Sequence, residues 1–129
     1  MAPVQVTTTL PRFLLVGGTG VLVNNIALFV LYQLLGLPLL VASPLAVELA
    51  IAHNFVWNDR WTFHQARLSV QRFLKFNLVS SVGLVITTAT IWLLVHQVGA
   101  HYLLANLAGI SLATTSNFVV NREWTWGPA

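Results

Sequence analysis

Four long apolar runs dominate this chain, at residues 13–35, 38–57, 76–98 and 101–120. Each is close to the roughly 20 mostly apolar residues that a helix needs to cross a bilayer. The first has no formal charge and the second has one, Glu48. None alternates apolar and polar positions as a barrel strand does, and an open strand cannot leave its backbone unpaired in lipid. The pattern therefore predicts an all-α integral membrane protein with four transmembrane helices. The breaks at Gly36, Leu37 and Pro38 and at Gly99 and Ala100 are short, which makes runs one and two, and runs three and four, tight helical hairpins. Residues 1–11, with Thr7, Thr8 and Thr9 ahead of Pro11, read as a flexible tail. The first run is too long for a signal-peptide core and lacks a small-x-small cleavage site, so it is read as a retained span.

The hairpins repeat each other within a single membrane domain, residues 1–129. Unit one spans residues 12–63 and unit two residues 72–126. One opens on Arg12, Phe13 and Leu14, the other on Arg72, Phe73 and Leu74. One closes on Asn54, Phe55, Val56, Asn58, Trp61, Thr62 and Phe63, the other on Asn117, Phe118, Val119, Asn121, Trp124, Thr125 and Trp126. The openings are offset by 60 positions and the closings by 63, which implies about three residues gained inside the second unit. Both units run in the same sense, so they are expected to be parallel repeats about a pseudo-two-fold axis along the membrane normal.

Charge sets the orientation. Arg12, Arg60, Arg67, Arg72, Lys75 and Arg122 fall on one side of this layout, and the opposite turns carry only His96 and His101. Cytoplasmic loops are rich in Lys and Arg, so both termini are expected in the cytoplasm, across the cytoplasmic membrane of a bacterium or archaeon. Trp57, Trp61, Phe63, Trp124 and Trp126 form an inner aromatic belt, with Tyr32 and Tyr102 near the outer surface. Between the units, Arg67 and Arg72 alternate with Leu68, Val70 and Phe73. That segment reads either as a short surface helix or as a solvated loop.

Composition narrows the function classes. Hydrophobic residues make up 57% of the chain and charged residues 7%, against about 25% charged in soluble domains. Six basic residues are too few for a nucleic-acid footprint, so no nucleic-acid partner is expected. There is no cysteine, hence no disulfide, thiol nucleophile or thiolate metal site. His53 and His64 lack partners at metal-ligand spacing, and no nucleophile–base pair or carboxylate pair is visible. The expectation is a non-enzyme without metal or cofactor. Gly17, Gly18, Thr19 and Gly20 resemble a phosphate loop only superficially, because no strand precedes them; helix packing is the plainer reading.

Two sets of polar residues stand out. Ala42, Ala46, Ala50, Asn54 and Asn58 recur at steps of four, as do Ala105, Gly109, Ala113, Asn117 and Asn121. Such steps form one ridge of a helix, and small residues on it let membrane helices approach closely. The amides either tie the helices together or meet a polar lipid headgroup. Glu48 lies near mid-membrane, with Asn24 and Asn25 at similar depth in the first span. A charge there costs about 2.5–3.5 kcal/mol or more and marks a functional site by default; a satisfied structural carboxyl is the bland alternative. The second unit places Thr87, Thr88 and Ser111 at the equivalent positions. Asp59 and Glu123 read as ion-pair partners of their neighbours Arg60 and Arg122.

The paired Arg-Phe-Leu openings, the four short spans, and the run Asn54, Phe55, Asn58, Arg60, Trp61, Thr62, Phe63 with its echo at 117–126 resemble the GtrA-like family across residues 12–126. The resemblance implies a role in cell-surface polysaccharide synthesis: translocation of polyprenyl-phosphate-linked sugars, beside a polyprenyl-phosphate glycosyltransferase. Under that implication, Asn54, Asn58, Arg60, Arg72, Lys75, Asn117, Asn121 and Arg122 are the candidate contacts to headgroup or phosphate, Arg being suited to bidentate phosphate contact. Asn24, Asn25 and Glu48 form a candidate mid-membrane seam. Acid and base swap places between Asp59–Arg60 and Arg122–Glu123, so the two motifs are not electrostatically equivalent. Four short helices enclose little volume for a sugar, so a homo-oligomer or a complex with a glycosyltransferase is expected. The rivals are a non-transporting anchor that recruits a glycosyltransferase, and a proton-coupled exporter like the small multidrug resistance transporters. The latter carry their buried Glu in the first span rather than the second.

Overall fold

The computed structural model describes residues 6–128. It contains four helices long and apolar enough to cross a membrane and, among the described residues, no strand. Helix α1 spans Val6–Leu28, α2 Leu39–Trp57, α3 Val70–Leu93 and α4 Tyr102–Val120. Each passes at its C-terminal end into a wider π-helical turn: Phe29–Leu34, Asn58–Thr62, Leu94–Val98 and Asn121–Thr125. These turns close through bonds from an N–H to the carbonyl five residues back, as in Leu35 to Val30, Phe63 to Asn58 and Trp126 to Asn121, at 2.8–2.9 Å. That pairing satisfies last-turn carbonyls which lipid cannot hydrate. Large apolar side chains such as Leu22, Ile26, Leu84 and Val85 point outward, as expected where the solvent is hydrocarbon.

The helices fall into two compact units, Met1–Phe73 and Leu74–Ala129. In the first, α1 packs along α2. The small ridge Ala42, Ala46 and Ala50 is buried, as are Phe13, Val16 and Gly20 of α1. In the second, Phe76, Val79 and Gly83 are buried on α3, and Ala105, Gly109 and Ala113 on α4. A Cβ at Gly109 would lie 3.0 Å from the Thr87 carbonyl oxygen, so α3 and α4 meet there backbone to side. The Thr87 hydroxyl donates to the Gly83 carbonyl of its own helix at 3.1 Å and lies 3.4 Å from the Gly109 carbonyl across the crossing.

Three expectations change. Helix α1 starts at Val6, so residues 6–11 are helical rather than a tail; residues 1–5 lie outside the described residues. Pro11 is tolerated because it sits near the helix start and removes a single N–H bond. Second, of the two readings of the segment between the units, the loop holds and the surface helix does not. Residues 58–62 extend α2, 63–69 form a loop with His64 at φ 52°, and α3 begins at Val70. Ser69 starts α3 as its cap, its Oγ accepting the Arg72 N–H at 3.2 Å. Third, buried positions repeat at a constant offset of 63, from Phe13 and Phe76 through Gly20 and Gly83 to Thr62 and Thr125. Arg12 therefore corresponds to Lys75, not to Arg72, and no residues were gained. A three-residue slip is nearly one helical turn, which left the apolar pattern looking intact under the wrong alignment.

Candidate functional site

The chemistry-bearing residues gather where α1 begins and α2 ends. The π-helical turn there rotates Asn58, Asp59 and Thr62 into the interior. The Thr62 hydroxyl donates to Asn58 Oδ1 at 2.8 Å. Asp59 has 0% exposure, and Arg72 reaches it from the first turn of α3 with Nε on Oδ1 at 2.7 Å and Nη2 on Oδ2 at 3.2 Å. Nη2 also donates to the Arg67 carbonyl. This is a bidentate pair with a fully desolvated carboxylate, the geometry in which Arg outperforms Lys. Asp59 thus pairs with Arg72 and not with its neighbour Arg60. Arg60 is exposed and donates to the Ala66 carbonyl at 2.8 Å, holding the loop.

Beside this lock lies a groove of about 290 Å³, lined by Leu15, Val16 and Thr19 of α1 and by His53, Trp57 and Trp61. Thr19 Oγ1 lies 3.1 Å from His53 Nε2 and donates to the Val16 carbonyl at 2.7 Å. The His53 and Trp57 rings lie 6.3 Å apart. Arg12 stacks over Trp61 at 5.1 Å, donates to the Trp61 carbonyl, and lies 3.1 Å from His64 Nε2. The tryptophan face attracts the cation electrostatically.

Below the lock, Asn54 covers Gly20. A Cβ added at Gly20 would collide with Asn54 Oδ1, so only glycine admits the amide there. The Oδ1 atom is buried with no donor. Unit two repeats this arrangement: Asn117 lies over Gly83, a Cβ there would be 2.7 Å from its Oδ1, and that atom too is buried without a donor. Thr125 donates to Asn121 Oδ1 at 2.7 Å, and Asn121 Nδ2 is buried without an acceptor. Lys75 stands over Trp124 at 5.1 Å, as Arg12 does over Trp61. Arg122 pairs with Glu123 at 2.9 Å and lies over Phe118.

The sequence-derived residues therefore divide. Asn58 and Asn121 are interior clamps. Arg72 is committed to Asp59. Asn54 and Asn117 hold unsatisfied acceptors, and Arg60, Lys75 and Arg122 stay within reach of solvent or headgroups. Asn24 is half-buried while Asn25 and Glu48 are exposed, so Glu48 does not share the buried face of Ala46 and Ala50. Sequence reasoning passed over the groove residues Thr19 and His53 and the cation Arg12. A signal was present: His53, Trp57 and Trp61 recur at steps of four, one ridge beside the asparagine ridge.

A family profile described as GtrA/DPMS, transmembrane domain, matches residues 12–126. The chain is also similar to a Pyrococcus furiosus protein named dolichol-phosphate mannosyltransferase, at 43% identity over 117 residues. The aligned region covers 89% of this chain and 33% of that relative; the chain spans about a third of the relative's length.

Proposed function

This chain belongs to the GtrA/DPMS transmembrane-domain family, and from that premise we propose that it translocates polyprenyl-phosphate-linked sugars across the cytoplasmic membrane. Such lipids feed cell-surface polysaccharide synthesis or glycosylation. The observation that carries this reading is the pair of donor-less acceptors, Asn54 Oδ1 and Asn117 Oδ1, at equivalent positions of the two units. Leaving such a group unpaired costs about 1–3 kcal/mol. A sugar hydroxyl is a donor that would repay it. The relative's name, which carries a polyprenyl-type phosphate and a hexose, supports the substrate class. On this reading the chain moves its ligand without transforming it, and both termini are cytoplasmic. Arg12, Arg60, Lys75 and Arg122 attract the phosphate, while Arg72 holds the fold. A homo-oligomer, or a complex with a membrane glycosyltransferase, supplies enclosed volume that four helices lack.

One observation favours a second reading. The matching region is only a third of a relative named as a transferase, so a unit of this kind can be joined to a larger protein. The chain would then anchor a glycosyltransferase at the bilayer and move nothing. The two readings part in proteoliposomes carrying a fluorescent short-chain polyprenyl-phosphate hexose in the inner leaflet. Transport predicts protein-dependent exposure of the label to an external quencher. A rate equal to that of empty liposomes, with co-purification of a glycosyltransferase, would leave the anchor.

A further inference from the structure

The groove of unit one carries an inference of its own. Its lining is apolar apart from Thr19 and His53. Those two are paired to each other: the Thr19 proton goes to the Val16 carbonyl, so Oγ1 can only accept from His53, which must carry a proton on Nε2. The pair staples α1 to α2 across the groove and leaves Trp57 and Trp61 as its walls. Trp57 is 52% exposed, far more than packing within the hairpin requires. The volume, about 290 Å³, is at the lower end for ligand sites, and the mostly apolar lining suits a slim hydrocarbon rather than a sugar. Arg12 rests on the Trp61 wall. Its bonds go to a carbonyl and an imidazole, whereas the carboxylate of Asp59 is held by Arg72 and that of Glu123 by Arg122. A guanidinium without a carboxylate, beside an apolar slot that opens from a membrane hairpin, is complementary to an anionic lipid.

The geometry points to this groove as a binding site for the phosphate-proximal end of a polyprenyl phosphate, with the first isoprene units between Trp57 and Trp61 and the phosphate on Arg12. The isoprenoid identity of the tail rests on the proposed function; the slot and its cation do not. The site belongs to the first hairpin alone. At the constant offset of 63, Thr19, His53 and Trp57 are replaced by Val82, Ser116 and Val120. The two hairpins therefore divide the work. The first grips the lipid, while both retain the amide over glycine.

The test uses the full chain in nanodiscs with farnesyl phosphate as probe. The triple variant Thr19→Val, His53→Ser, Trp57→Val installs residues that the second hairpin already uses. It is expected to raise the Kd about tenfold or more, as is Arg12→Gln, each being a loss on the scale of one good anchor or charge-assisted contact. Arg67→Gln, at an exposed loop cation outside the proposed phosphate contacts, should stay within about twofold, and inorganic phosphate should not compete. If the triple variant does not fold, Trp57→Val alone carries the same expectation, since that side chain is half exposed. Wild-type affinity in both Arg12→Gln and the folded groove variant would overturn the site. So would equal loss in Arg67→Gln, or equal binding of phosphatidic acid, which would make it an ordinary bilayer-lipid contact. Intact farnesyl phosphate binding in a protein that fails to translocate would sink the proposed function and leave the groove. Normal translocation after loss of binding would sink the groove alone.

Discussion

Asn54 and Asn117 show most directly how a single residue divides packing from function. Each amide oxygen is buried over a glycine with no donor in reach. An acceptor that the fold leaves unsatisfied adds nothing to stability, so replacing the amides with an apolar side chain of similar size should remove a penalty of about 1–3 kcal/mol. Asn54→Leu and Asn117→Leu are therefore expected to fold with stability unchanged or raised, read by thermal unfolding in detergent, and yet to lose lipid transport. Destabilisation by more than about 1 kcal/mol with transport intact would make the amides structural glue. The step-of-four ridge made these two positions visible in the sequence. The missing donor was not visible, because it depends on what faces the amide: the backbone of Gly20 or Gly83 rather than a polar side chain.

At the scale of elements, the ends of α2 and α4 decide more than their middles. Widening the last turn brings Asn58, Asp59 and Thr62 inward together, where a continued α-helix spreads successive residues around its circumference. This is why adjacency misled the reading of Asp59 with Arg60, although it held for Arg122 with Glu123: Asp59 turns inward while Arg60 stays exposed. The partner came from the far side of the loop, positioned by the Ser69 cap. Arg72→Ala should then act on stability before any effect on phosphate binding. It leaves a carboxylate of 0% exposure without its cation, a change that costs about 3–5 kcal/mol. Asp59→Asn combined with Arg72→Gln should recover much of that loss, whereas Arg60→Ala, on an exposed side chain, should stay within about 0.5 kcal/mol. Denaturant titration of the three proteins checks the order; equal stability of Arg72→Ala and Arg60→Ala would refute the lock. A smaller effect belongs to the clamp of unit two. Thr125→Val removes the hydroxyl on Asn121 Oδ1 and should cost about 1–3 kcal/mol by leaving that acceptor unpaired as well.

For the whole molecule, the sequence was most legible where the constraint was most general. Lipid demands about 20 apolar residues with an internally bonded backbone, and the four spans follow from that demand alone. Their extensions to Thr62 and Thr125 escaped it, because polar residues folded back on themselves look like loop. Orientation rests on a different force, the retention of Lys and Arg on the cytoplasmic face. Arg12 and Arg60 lie at one end of the first hairpin, and Lys75 and Arg122 at the corresponding end of the second, whereas the Gly36 and Gly99 turns carry no Lys or Arg. The chain contains no cysteine, so single substitutions give an unmixed signal. Ala66→Cys, exposed in the loop before α3, is expected to react with an impermeant maleimide only after the membrane is opened. Ala100→Cys, in the turn before α4, should react in intact cells. Both must hold for a four-span chain with the basic loop inside. Labelling of position 66 in intact cells with position 100 protected would invert the protein. Arg12 and the phosphate groove would then face outward, where the positively charged end would meet a lipid-linked sugar only after it had crossed.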